Sequence, residues 1–215
     1  MNYQNILFDL DGTITDPCEG ITNSYLHAVS KLNLIEDNPN CIREYIGAPL
    51  HSYFEIKHGI KNEDDLINGV ALYREYYGVR GMFECRLYEG IYSLIQQLYT
   101  NNKSVFLVTS KPSFYAEKIL HHFDLLKYFK DIFGSEMNAF NKSKEELIQN
   151  LLDNHNIEKE LSVMIGDRKF DVIGAKFHGI DSIGVTYGYG SVEEIREAEP
   201  DYEAENVNKI VDILL

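Results

Sequence analysis

The chain of 215 residues carries 34 Asp and Glu against 20 Lys and Arg, a formal net charge of −14 at pH 7, and a surface so acidic repels nucleic-acid backbone and anionic membrane. Hydrophobic residues at 44% and charged residues at 25% are globular proportions, and no apolar run approaches the ~20 residues of a membrane span. The three widely spaced cysteines, Cys18, Cys41 and Cys85, form no disulfide framework or zinc pattern, so a free-thiol protein of a reducing cytoplasm is expected, with no signal peptide ahead of its first strand.

In chain order, Ile6-Leu7-Phe8 is a short apolar run that ends at Asp9. Such runs are what strands buried on both faces look like. The next strong run, Val105-Phe106-Leu107-Val108, leads into Thr109. It comes much later than the dozen or so residues that a parallel crossover needs. The interval reads as helices over 20–34, 40–47, 50–58 and 64–79, the last with a stripe of Leu66, Val70, Tyr73 and Tyr77. An all-helical unit over 16–86 is therefore inserted after the first strand, with hinges near 15–19 and 81–87. Residues 1–15 and 87–215 form the remainder.

Helical patterns follow over 90–102, with Ile91, Leu94, Ile95 and Leu98 on one face, and over 113–123, where Pro112 suits the first turn. A weaker strand covers 131–133, and a helix with Leu147, Ile148, Leu151 and Leu152 covers 143–155. Val163-Met164-Ile165 leads into Gly166 and Asp167. A helix over 170–178, a weak strand over 182–185 and a final strand and helix within 200–215 complete the chain. This alternation predicts an α/β fold, a parallel sheet with helices on both faces. Ligands of such sheets sit beyond the carboxyl ends of the strands. Asp9, Thr109 and Asp167 end the three strongest runs and would meet at one edge.

Two acidic elements carry the chemistry. In Asp9-Leu10-Asp11-Gly12-Thr13 the alternation of strand side chains can put Asp9 and Asp11 on one side. Gly12 permits a sharp turn that brings backbone N–H groups to an anion. A carboxylate nucleophile with a second carboxyl as acid and base can transfer a phosphoryl group covalently; the plainer reading is a strand end closed by Asx turns. In Gly166-Asp167-Arg168-Lys169-Phe170-Asp171 the acids either cap a helix or share a divalent cation, and hard oxygen ligands suit Mg²⁺. Other features take bland readings. His121-His122 are helix neighbours that point apart, Cys18 is a buried small apolar residue, and the acids of 193–199 form a solvated helix face.

Asp9-x-Asp11-Gly12-Thr13, the strand-end Thr109, a lysine before a helix and Gly166-Asp167-x-x-x-Asp171 resemble, in order and spacing, the four motifs of the haloacid dehalogenase superfamily. The resemblance covers nearly the whole chain. Gly20-Ile21, Tyr45-Ile46-Gly47-Ala48-Pro49-Leu50 and Val185-Thr186-Tyr187-Gly188-Tyr189-Gly190 resemble its phosphoglycolate phosphatase-like branch, which has a small helical cap. The resemblance implies a Rossmann-like sheet and gives roles to residues. Asp9 would form the aspartyl-phosphate. Asp11 would protonate the leaving oxygen and then deprotonate water. Thr109 would bind the phosphoryl group. Mg²⁺ would be held by Asp9, the backbone carbonyl of Asp11 and Asp167, with Asp171 orienting a metal-bound water or the lysine. Lys142 and Lys144 both precede the helix, and the family pattern favours Lys144. Gly12, Thr13, Ser110, Arg43 and Gly47 fall near the phosphate or the substrate, and Glu19 and Lys111 are further candidates for touching it. Pro17, Ser110 and Asn141 depart from the commonest pattern without removing a reacting group.

The activity so implied is that of a Mg²⁺-dependent phosphatase acting on a small phosphorylated metabolite, phosphoglycolate phosphatase-like or nucleotidase-like, as a monomer or homodimer. A phosphomutase of the β-phosphoglucomutase type shares the nucleophile, but the cap pairs typical of mutases are not evident around Tyr25-Leu26-His27. A receiver-like phospho-acceptor module would place adjacent acids at its first strand and its acceptor on a later one. An inactive binding protein would have no need of the full set of reacting groups.

Overall fold

The computed structural model describes residues 3–35, 42–43, 45–47, 50–137 and 142–215. Asn40, Cys41 and Glu44 of the helix expected over 40–47, together with Ala48, Pro49 and Asn141, lie outside them. The chain divides into two compact units, Met1–Asp16 with Leu87–Leu215, and Pro17–Arg86.

In the larger unit six strands form one parallel sheet: β1 (Asn5–Phe8), β4 (Ser104–Pro112), β5 (Asp131–Ser135), β6 (Ser162–Gly166), β7 (Asp181–Val185) and β8 (Tyr202–Ala204), in the order β5-β4-β1-β6-β7-β8. The short strands β2 (Thr15–Asp16) and β3 (Arg86–Leu87) pair separately where the chain leaves this unit and returns. Helices α4 (Ile91–Thr100), α5 (Ser113–His122), α6 (Lys144–Asn154), α7 (Lys169–His178), α8 (Val192–Glu197) and α9 (Val207–Leu214) connect and flank the strands. Ile6 and Leu7 point to opposite sides of β1, yet neither has any exposed surface. Both faces of the sheet are thus covered, which explains why its strands read as continuous apolar runs. On one face Leu7, Phe106, Val108 and Met164 pack against Leu147, Ile148 and Leu151 of α6 and Ala175 of α7.

The strand order positions the site. From central β1 the chain moves outward through β4 to β5, then returns to β6 on the other side of β1 and continues outward to β8. The crevice created by such a reversal opens at the carboxyl ends of the strands. Phe8 pairs with Leu107 and with Ile165. Asp9 is one residue past that row, and Thr109 and Asp167 are two past it, so the register delivers all three to the same edge.

One boundary differs from the sequence reading. β4 runs through Thr109 to Pro112, which pairs with Ser135 across a register shift after Val108. Pro112 is extended (φ −53°, ψ 129°) and caps α5 from outside instead of occupying its first turn. Serine, lysine and proline carry little strand propensity, so pairing with β5 decides this segment, not its composition.

The second unit is helical: α1 (Cys18–Lys31), α2 (Ser52–His58) and α3 (Glu63–Tyr77). Asn62 accepts the Asp65 N–H at 3.2 Å and caps α3. Tyr25, Tyr53, Phe54 and Tyr73 form its centre, with the Tyr25 ring 4.3 Å from that of Tyr53 and 4.7 Å from that of Tyr73. Such tilted contacts each add about 0.5–1.5 kcal/mol beyond the area they bury. Gly69 and Tyr77 are also buried along α3, whereas Leu66 and Val70 are only half-buried. Among the described residues no helix is long and apolar enough to cross a membrane.

Candidate active site

The edge of the sheet gathers four aspartates and two lysines. One carboxylate oxygen each from Asp9, Asp167 and Asp171 lie within 4.8 Å of one another. Asp167 and Asp171 are each 1% exposed. Lys144, at 4%, is buried with them. Its Nζ stands 2.7 Å from Asp171 Oδ1 and 3.2 Å from Asp9 Oδ1, and it donates to the Val108 carbonyl at 2.9 Å. Lys142 takes no part; it is half-buried and pairs with Glu136 at 3.3 Å. Of the two lysines, Lys144 is the one that the fold brings to the aspartates.

Local sequence explains this placement. Ser143 accepts the Glu146 N–H at 3.3 Å while the Glu146 carboxylate accepts the Ser143 N–H at 2.8 Å. This reciprocal cap fixes the start of α6, so Lys144 is its first residue and projects from a rigid helix end. Likewise Asp171 Oδ2 accepts the Arg168 N–H at 3.1 Å at the start of α7, which turns Oδ1 toward Lys144.

Asp11 lies outside the carboxylate cluster. Its Oδ2 pairs with Lys111 Nζ at 2.7 Å and its Oδ1 accepts from the Thr15 hydroxyl at 3.3 Å. Thr109 is buried and its oxygen accepts the Lys111 N–H at 3.3 Å, while Ser110 is half-buried beside it. Thr13 is fully buried, with its hydroxyl 3.4 Å from Asp167 Oδ1. Glu19, Arg43 and Gly47 are exposed residues of the helical unit.

Three contacts escaped the sequence reading. Tyr189 donates its backbone N–H to Asp167 Oδ2 at 2.8 Å and its hydroxyl to Asp16, while the Tyr187 hydroxyl reaches the Thr13 carbonyl at 2.9 Å. This loop buttresses the nucleophile segment from a strand far along the chain. Gly12 (φ +84°) and Gly188 permit it. A Cβ on Gly12 would stand 2.0 Å from Asp167 Oδ2, and one on Gly188 would stand 2.3 Å from Asp167 Cβ and 2.5 Å from the Gly12 carbonyl. The only signal for Gly188 and Tyr189 was their place in the Val185–Gly190 run. Two bland readings also change. Glu194 is not a solvated helix acid, because Arg168 reaches it at 2.8 Å and the Lys169 N–H at 3.0 Å. Cys18 is half-buried and not a core residue.

Burial without enough countercharge shapes the electrostatics. It raises the Asp167 carboxyl well above the ordinary aspartate value, and the charges of Asp9 and Asp171 push the same way, against the Tyr189 N–H and Arg168. Asp171 is raised by burial to about 6 although Lys144 opposes the shift. Asp11 is also raised by burial, with Lys111 opposing. Burial alone would lower the Lys144 ammonium, but Asp171 and Asp9 carry it above its ordinary value. Four carboxylates against two ammonium groups leave two negative charges uncompensated. Moreover, Asp9 Oδ1 and Asp171 Oδ1 are buried at ion-pair distance from Lys144 without an aligned hydrogen bond. Hard oxygens with unused lone pairs and a deficit of two positive charges fit one divalent cation. Ligand oxygens around Mg²⁺ stand about 3–4 Å apart, close to the spacing of this cluster.

Comparison with known proteins agrees with this geometry. The family described as haloacid dehalogenase-like hydrolase matches residues 6–185. A 5′-nucleotidase of Pseudomonas aeruginosa is 41% identical over 94% of this chain and 91% of its own. A phosphoglycolate phosphatase of Vibrio parahaemolyticus is 28% identical over 97% of this chain and 95% of its own. A crystal structure from Clostridium difficile, which carries a provisional phosphatase name, superposes with a TM-score of 0.93 at 47% identity over 100% of both chains.

Proposed function

The chain belongs to the haloacid dehalogenase-like hydrolases and is a phosphoric monoester hydrolase of that family; from that premise we propose that it hydrolyses a small phosphorylated metabolite through an aspartyl-phosphate on Asp9, with Mg²⁺ as its metal. The observation that carries the proposal is the division of the two motif aspartates. Asp9 shares the cluster of the buried Lys144, Asp167 and Asp171, and Asp11 is held apart from it by Thr15 and Lys111. One carboxylate is thus set to attack and the other to move protons.

In the first step a carboxylate oxygen of Asp9 forms a bond to phosphorus as the bond to the leaving oxygen breaks. Asp11 gives that oxygen its proton. In the second step Asp11 takes a proton from water, whose oxygen attacks the same phosphorus. Inorganic phosphate departs and the Asp9 carboxylate returns. Burial raises the pKa of the Asp11 carboxyl, which suits an exchange of this kind, since a donor works best when its pKa lies near the operating pH. Thr109 hydrogen-bonds the phosphoryl group and Lys144 offsets its charge. Asp9 and Asp167, with the Asp11 carbonyl, would hold Mg²⁺, which supplies positive charge against the phosphoryl oxygens; Asp171 orients Lys144. A cytoplasmic setting suits the cysteines Cys18 and Cys85, which no disulfide joins to each other.

The test is release of phosphate from a panel of phosphorylated metabolites and a generic aryl phosphate, with Mg²⁺ and with chelator. Release should require the metal. Asp9→Asn should abolish it, because an amide is no nucleophile, and Asp11→Asn should slow it by about a hundredfold or more. A near-normal rate in Asp9→Asn would rule out the covalent route.

A further inference from the structure

The two lysines at the sheet edge have different company. Lys144 Nζ lies against Asp9, Asp171 and the Val108 carbonyl, which is the side of the phosphoryl group. Lys111 is two residues beyond Thr109, on the extension of β4 that outruns the pairing with β1. Its side chain is 8% exposed and its Nζ is 2.7 Å from Asp11 Oδ2. Both Asp11 oxygens thus have a donor, the Thr15 hydroxyl at 3.3 Å from Oδ1 and Lys111 beside Oδ2, and Lys111 is the charged one. Lys111 is therefore the cation beside the carboxyl that, on the phosphatase reading, meets the leaving oxygen.

Two arguments turn this position into selectivity. First, Oδ2 would sit at hydrogen-bond length from the ester oxygen, and Lys111 Nζ is at that length from Oδ2. Nζ is then within about 5.5 Å of the ester oxygen. A carboxylate or phosphate carried one or two carbons from that oxygen comes within reach of the ammonium. Second, an edge built from four carboxylates repels a leaving group with negative charge of its own unless a cation waits at that spot. A lysine withdrawn from water in this position costs free energy unless paired, and it can pair with Asp11 at rest and with a second anion when substrate is bound.

The geometry points to Lys111 as a specificity-determining residue that selects phosphate monoesters whose leaving group bears a second anionic group next to the ester oxygen. This rests on the phosphatase reading above and narrows it toward compact anionic leaving groups, away from nucleoside monophosphates.

The experiment compares three two-carbon phosphate monoesters, ending in a carboxylate, a second phosphate or a neutral hydroxyl, with wild type, Lys111→Met and Lys111→Arg. The readout is the ratio of kcat/KM for each anionic ester to that for the neutral one. Wild type should favour one anionic ester by about ten- to a hundredfold, the range of one charge-assisted contact. Whichever arm wins identifies the anion. Lys111→Met should collapse the ratio at least about tenfold, mainly by raising KM for the anionic ester, and Lys111→Arg should keep most of it. A wild-type ratio near one, or a ratio that survives Lys111→Met, overturns the inference. So does equal loss on all three esters, which would mean that Lys111 only holds Asp11. Hydrolysis of a generic aryl phosphate but of none of the three esters overturns the inference alone, whereas failure on the aryl phosphate and all three esters overturns the phosphatase reading beneath it.

Discussion

Removing the metal should invert the usual effect of acid on this protein's stability. Asp171 has its carboxyl raised from the ordinary 3.8 to about 6 by burial. A carboxyl with a raised folded value binds protons more tightly in the native state than in the unfolded chain, so stability falls as pH climbs from the unfolded value through the folded one. The gap between 3.8 and about 6, at about 1.4 kcal/mol per pH unit, is about 3 kcal/mol in full. Between pH 7.5 and 5 the same linkage yields about 1.4 kcal/mol of gain on acidification, since the unfolded aspartate remains ionised there. Asp167 and Asp11 are shifted in the same direction and add to it. Glu194 is opposite: Arg168 and the Lys169 N–H outweigh its partial burial and lower its value, so its contribution is lost only in more acidic solution, outside this window. Urea unfolding at pH 7.5, 6 and 5 in chelator should show rising stability, whereas saturating Mg²⁺ should raise the pH 7.5 value and flatten the slope. A hundredfold excess of metal over its dissociation constant is worth about 2.7 kcal/mol. Monotonic loss of stability from pH 7.5 downward in chelator, unaffected by Mg²⁺, would refute the uncompensated-cluster reasoning.

Lys144→Met should lower kcat by about a hundredfold or more, as loss of a preorganised charge does, and cost about 3–5 kcal/mol at neutral pH by stranding Asp171; Lys142→Met should change stability by less than about 0.5 kcal/mol, so paired urea and kinetic measurements test the assignment. Gly188→Ala forces a Cβ to within 2.5 Å of both Asp167 and the Gly12 carbonyl. It should cost about 1–3 kcal/mol and weaken Mg²⁺ binding, seen as a rightward shift in a metal titration of thermal stability.

The legible part of the site is the part governed by short-range rules. Asp9, Thr109 and Asp167 each follow a doubly buried strand, and parallel sheets present such ends on one edge, so their meeting follows from apolar runs alone. Lys144 was preferred to Lys142 on the family pattern, and the local signal that agrees is Ser143-x-x-Glu146, a reciprocal helix cap that makes residue 144 the first of α6. The illegible part depends on register and distant loops. Nothing in Ser110-Lys111-Pro112 reads as strand, and only its pairing with β5 carries β4 far enough to set Lys111 on Asp11. The Tyr189 N–H bound to Asp167 belongs to a loop with no periodicity, 22 residues further along the chain. Both illegible contacts act on acids that the sequence did reveal, and both supply positive charge or a hydrogen bond to a carboxylate. That is what the physics of the cluster demands. Once several carboxylates are placed in a dry crevice, the fold must find donors for them wherever the chain happens to pass, and periodicity cannot encode where that is. The acids are therefore readable from the strands that deliver them, while the groups that make them tolerable are readable only from the folded chain.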